Sequence, residues 1–142
     1  MIRPAAPQEI AQLADIWLRA SCRAHDFIPA AYWESHLDAM AGEHLPGVDE
    51  LLVLEVEGRV IGFAALNGEH LEALFVDPDL QSYGHGSRLM AHAMAHHSRL
   101  SLCVFSRNVR AVSFYRRLGF QVVEERLEPF TGEAETLMAW QS

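Results

Sequence analysis

The chain has 142 residues, half of them apolar and about a fifth charged, proportions that fit one globular domain over residues 1–142 rather than a disordered segment. Nineteen acidic residues against eleven basic ones leave a formal charge of −8, and every basic residue is arginine; without clustered lysine and arginine to meet phosphates, nucleic acid is excluded as the main partner. No apolar run approaches the roughly 18–20 residues that span a bilayer, and MIRPAAPQEI has no apolar leader core. Cys22 and Cys103 stand far apart and form no close pair, so the expectation is a cytoplasmic protein with two reduced thiols and no membrane partner.

In chain order, IRPAAP (2–7) reads as a short strand and a turn. EIAQLADIWLRAS (9–21) puts Ile10, Leu13, Ala14, Trp17 and Leu18 at helical spacing, so one face is buried. RAHDFI (23–28) is a polar–aromatic link without a clear period. PAAYWESHLDAM (29–40) predicts a second helix, with Pro29 in its first turn. LLVLEVE (51–57), RVIGFAAL (59–66) and EHLEALFV (69–76) are apolar runs separated by Glu57-Gly58 and Asn67-Gly68, the signature of an antiparallel meander. GSRLMAHAMAHH (86–97) is helical, with Leu89, Met90, Ala93, Met94 and His97 on one face. SLCVF (101–105) reads as a short buried strand, NVRAVSFYRRLG (108–119) as a helix closed by Gly119, and FQVVEER (120–126) and ETLMAW (135–140) as strands.

The order β-α-α-β-β-β-α-β-α-β-β combines a meander with two crossovers. The expected fold is α/β (α+β): a mixed, mostly antiparallel sheet of six to seven strands, partly covered by about four helices.

The chemistry concentrates in DPDLQSYGHGSRLM (77–90), where a strand ending LFV gives way to a helix. A phosphate site needs main-chain N–H groups converging at a helix N-terminus, and glycine lets a ligand approach them. Gly84 and Gly86 meet that need, though a plain strand-to-helix turn would use the same residues. The Walker pattern fails, because Gly84-His85-Gly86-Ser87-Arg88 has no lysine and the wrong spacing. The dinucleotide fingerprint fails as well: Leu89 stands where its third glycine belongs, and CVFS (103–106) stands where its ribose-binding acid belongs.

What remains is Gln81-x-x-Gly84-x-Gly86, followed by Asn108, Ala111, Phe114, Tyr115, Gly119 and Phe120 in the pattern N-x-x-A-x-x-F-Y-x-x-x-G-F. With these two motifs the chain resembles the GNAT superfamily of acyl-CoA-dependent N-acetyltransferases along nearly its whole length. HDFIPAAYW (25–33) further resembles a group of small bacterial members of mostly unassigned substrate.

The resemblance implies acetyl-CoA as co-substrate, with its pyrophosphate on the amides of Ser82, Tyr83, Gly84, His85, Gly86 and Ser87. Its pantetheine arm would pair with the main chain of Leu74 and Val76, with Phe75 between them pointing to the other face. Arg88 would approach a phosphate. Asn108 reads from the residues alone as an N-cap, and the resemblance adds a contact to pantetheine or substrate. Tyr115 would donate a proton to the departing thiolate as general acid. The base would be His70 or Glu72, placed by period two on one face of their strand together with Leu74. His25 and Asp26 would line the acceptor side. His92 and His96 have chelating i, i+4 spacing, but no third ligand follows from position, so no metal is expected.

The function implied is acetyl transfer from acetyl-CoA to a primary amine by direct attack in a ternary complex. No cysteine occupies a motif position for an acyl-enzyme route. A non-catalytic acyl-CoA-binding or sensing module on the same fold is the alternative, and a flavin- or nucleotide-binding α/β protein the third reading. The acceptor stays open among polyamines, amino acids, antibiotics, protein N-termini and lysine side chains, small molecule or peptide, and the chain would act as monomer or homodimer.

Overall fold

The computed structural model describes residues 1–142. One seven-stranded sheet runs through it. Strand β1 (Ile2–Pro4) leads through a short 3₁₀ turn into α1 (Ile10–Ala24), and α2 (Ala30–Ser35) follows. Strands β2 (Glu50–Val56), β3 (Arg59–Asn67) and β4 (His70–Val76) form the expected meander.

The second helix does not run unbroken over 29–40 as its sequence suggests. It stops at Ser35, and the helical path then continues to Gly47 through α3 (Leu37–Ala39), a π turn (Met40–His44) and α4 (Leu45–Gly47). Pro46 has no N–H to donate, and its ring would crowd the carbonyl four residues back. The wider turn instead bonds the amide of Leu45 to the carbonyl of Met40, five residues back.

After β4 come α5 (His85–His96), β5 (Arg99–Phe105), α6 (Val109–Arg117), β6 (Gln121–Leu127) and β7 (Ala134–Gln141). In space the strands run β1-β2-β3-β4-β5-β7-β6, and every neighbouring pair is antiparallel except β4–β5. Helix α5 is the crossover that a parallel pair requires.

Strand β3 is the keel. Val60 to Leu66 are all buried because helices cover both faces of the sheet. Val53, Val60, Phe63 and Ala65 pack under α1 and α2 with Leu13, Ile16, Trp17 and Trp33. Leu54, Ile61, Ala64 and Leu66 pack on the opposite face under α5 and α6 with Leu89, Met90, Ala93 and Tyr115. Each large apolar side chain so buried contributes about 1.5–3 kcal/mol. Gly62 lets β3 and β4 approach closely: a Cβ there would lie 2.9 Å from the carbonyl of Phe75.

Asp77 fastens the end of β4. Its buried carboxylate takes both Nη atoms of Arg19 at 3.1 Å and the amide of Asp79 at 3.0 Å. The Arg19 guanidinium holds that carboxyl below the usual carboxylate range despite its burial.

Candidate functional site

Strands β4 and β5 pair over only two rungs, His70 with Ser101 and Leu71 with Leu102. Beyond Leu71 they diverge, leaving one edge of β4 without a strand. The ladder with β3 shows which groups that edge presents. The amide of Asp77 bonds the carbonyl of Ile61, and Phe63 stands opposite Phe75. By the two-residue period, the N–H and C=O of Leu74 and Val76 therefore turn away from β3, towards the gap.

A β-bulge shapes the entrance to this gap. Ala65 pairs with Ala73 and Leu66 with Leu71, so Glu72 is the extra residue. The bulge corrects the simple alternation expected for this strand. Leu71, Leu74 and Val76 belong to the core under α5 and α6, whereas Ala73 and Phe75 belong to the core under α1 and α2. His70 and Leu74 consequently do not share a face.

A cavity of about 620 Å³ fills the gap. Its first wall is the loop 81–87. Gly84 adopts φ +81° as the cap of α5, and Ser82 has φ +74°. Gln81 donates to the carbonyl of Val76 at 3.2 Å, tying the loop to the open strand edge. None of the six successive amides from Ser82 to Ser87 donates a hydrogen bond within the chain. Unpaired N–H groups at the start of a helix form an anion cradle. The cation that meets the loop is Arg110, whose Nη2 donates to Ser82 Oγ at 2.6 Å. Arg88 and Tyr83 are exposed and lie outside the cavity lining.

Helix α6 supplies the second wall. Asn108 caps it by accepting the amide of Ala111 at 3.3 Å. Tyr115, on the inner face, is 8 % exposed. Its hydroxyl takes no partner from the chain and lines the cavity, and burial pushes its pKa well above the phenolic range, so it stays protonated.

The third wall carries side chains from remote segments. His25, Trp33 and Phe105 form an aromatic box, with the His25 ring stacked on Trp33 at 5.0 Å and edge-on to Phe105 at 5.2 Å. Cys103 also lines the cavity. Burial and the neighbouring Glu135 carboxylate push its thiol pKa up, so it rests as the thiol and makes a weak nucleophile. Glu72 sits on the rim, its carboxylate accepting from Asn67 Nδ2 at 3.3 Å.

Thirteen of the residues anticipated from the sequence line this one cavity: Glu72, the strand trio Leu74–Val76, Gln81, Ser82, Gly84 to Ser87, Asn108, Tyr115 and His25. His70 is not among them, and its Nδ1 is engaged with Ser101 Oγ at 2.8 Å. Asp26 is exposed and points to no part of the lining. Arg110, Cys103, Trp33 and Phe105 were not anticipated. Arg110 meets Ser82 across 28 residues and Trp33 meets Phe105 across 72, and no local spacing marks such pairs. His92 and His96 stack at 4.3 Å, with His96 Nδ1 bonded to the His92 carbonyl; the chain contains no group of three His, Cys, Asp or Glu arranged to hold a metal.

Residues 48–122 match the profile of the acetyltransferase (GNAT) domain family. The chain is 35 % identical over 121 residues to the peptidyl-lysine N-acetyltransferase YjaB of Salmonella typhimurium, covering 85 % of this chain and 83 % of that protein. It is 30 % identical over 141 residues to the peptidyl-lysine N-acetyltransferase YiaC of Escherichia coli, covering 99 % and 96 %. The solution structure of apo YjaB from Escherichia coli superposes with a TM-score of 0.87 at 31 % identity, over 99 % of this chain and 96 % of the other.

Proposed function

The chain belongs to the GNAT acetyltransferase family and is an N-acetyltransferase of the transferase class; from that membership we propose that it moves the acetyl group of acetyl-CoA directly to the ε-amine of a lysine in a protein. The observation that carries the donor is the row of six unpaired amides from Ser82 to Ser87, continuous with the open edge of β4. The cradle suits a pyrophosphate, and the Leu74 and Val76 edge suits the two amides of a pantetheine arm. The acceptor class rests on the activities named for YjaB and YiaC.

In this reading the lysine amine attacks the thioester carbonyl, forming the C–N bond. The Leu74 N–H holds the oxygen of the tetrahedral intermediate. When the C–S bond breaks, Tyr115 gives its proton to the thiolate, a task that requires the phenol its burial maintains. Glu72 takes the proton that the ammonium sheds, directly or through a water molecule. His70 is the weaker choice, because it lies outside the cavity and its Nδ1 is engaged. Cys103 remains a bystander thiol, which favours direct attack over an acyl-enzyme.

Thiol release from acetyl-CoA, measured over a panel of lysine peptides, free amino acids and polyamines, tests the reading. Release that depends on a lysine peptide, with one acetyl group on its ε-amine by mass spectrometry, is expected. CoA binding without turnover on any amine would instead indicate a sensing module.

A further inference from the structure

His25 and Asn108 stand 83 residues apart and meet beyond the end of β5, one from the link after α1 and the other from the cap of α6. Their hydrogen bonds leave one consistent assignment of protons. The Ser21 carbonyl, an acceptor only, lies 3.0 Å from His25 Nδ1, so Nδ1 carries the hydrogen. Asn108 Oδ1 accepts from the Ala111 amide, so its nitrogen faces His25 Nε2 at 3.3 Å and donates to it. The relay runs from Asn108 Nδ2–H to Nε2, and from Nδ1–H to the Ser21 carbonyl. It spends one N–H of Asn108 and leaves the second to the cavity that both residues line.

We propose that His25 is a positioning residue for donor capture: as the neutral Nδ1–H tautomer it fixes the Asn108 carboxamide so that its remaining N–H faces the pantetheine arm. The proposal rests on the acetyl-CoA reading above and deepens it. Asn108 alone could satisfy its cap and still turn its nitrogen freely; the imidazole lone pair removes that freedom. A protonated ring would set Nε2–H against the Asn108 amino group, donor against donor, and break the relay.

The surroundings favour the neutral ring. Phe27, Trp33 and Phe105 pack around the imidazole, Ser21 and Asn108 bond it, and Arg107 is seated over the Phe27 ring at 4.6 Å. Burial lowers the His25 pKa below its ordinary value and outweighs the opposing pull of the Ser21 carbonyl, with no charged side chain contributing. Donor capture is therefore intact at neutral pH and weakens as pH falls through that lowered value.

The test is CoA binding to the full chain by calorimetry, without acceptor, so that it fails separately from the lysine assignment. His25→Phe keeps an aromatic ring in the box but removes both hydrogen bonds; Asn108→Asp keeps a capping oxygen but removes the donor. Each is expected to weaken CoA about three- to tenfold, the range of one hydrogen bond, and the double variant to bind no worse than Asn108→Asp alone. The wild-type affinity should fall below the His25 titration, and His25→Phe should lose that pH dependence. Long-range ¹H–¹⁵N spectra of the wild type should show the Nδ1–H tautomer, a readout independent of how the variants fold. Additive losses in the double variant, an Nε2–H tautomer, or a His25→Phe variant that binds CoA normally but turns over slowly would each overturn the proposal.

Discussion

At the end proposed for the donor the cleft offers main chain: the amides of Ser82 to Ser87 and the open edge at Leu74 and Val76. At the end proposed for the acceptor it offers side chains: Trp33, Cys103, Phe105 and the bulged Glu72. The two materials impose different constraints. A main-chain site needs glycine at the right dihedral and a strand without a neighbour, and is indifferent to most side chains. A side-chain site is assembled from segments joined only by the fold, and can change its acceptor without disturbing the donor. Tyr115 stands between them, rooted in the donor-side helix α6 with its hydroxyl in the shared cavity.

Four substitutions break or sharpen this contrast. Tyr115→Phe should lower kcat by about 10²-fold, the scale of general acid catalysis, while CoA affinity stays within about twofold; an unchanged kcat would remove Tyr115 as the acid. Gly84→Val places a β-branched residue at φ +81°, which costs about 1–2 kcal/mol. If the loop yields rather than the fold, CoA affinity drops about tenfold while the variant's peptide preference stays as in the wild type. Glu72→Gln works the other end. It should reduce kcat several-fold with CoA binding untouched; a changed Kd for CoA with a normal kcat would take Glu72 out of proton transfer.

The smallest effect concerns the fastening of β4 to α1. The Asp77 carboxyl is depressed by Arg19, so its contribution to stability is complete above the unfolded carboxylate pKa and is lost as pH falls through the folded value. Asp77→Asn should lower stability at neutral pH by about 1–2 kcal/mol, read as a fall in Tm, and should flatten the acid dependence of Tm below about pH 4. A parallel offset at every pH would mean the ion pair contributes nothing specific.

The same contrast explains what the sequence disclosed. Gly84, Gly86, Asn108 and Tyr115 announce themselves by local spacing, because a loop, a cap and a helical face are short-range structures. The meander was legible from its apolar runs and turn residues, and each of the seven strands overlaps a stretch read as a strand. The bulge at Glu72 was not legible, since it arises from a register shift against β3, and it reverses which residues share a face with Leu74. Arg110 beside the loop 81–87 and Cys103 in the cavity were hidden for a related reason: their partners arrive through tertiary packing. Pro46 was visible, but its effect, a π turn that prolongs the helical path after α2, depends on how Met40, Ala41 and Leu45 pack beneath α1.

That the donor lies along main chain, with Asn108 the one side chain added, and the acceptor against side chains is checked by following backbone amide shifts while CoA is titrated into the ¹⁵N-labelled protein. The largest shifts are expected at Ser82 to Ser87, Leu74 and Val76, with Cys103 and Glu72 little moved. Shifts concentrated at Cys103, Glu72 and the residues around Trp33, with the loop amides unmoved, would contradict it.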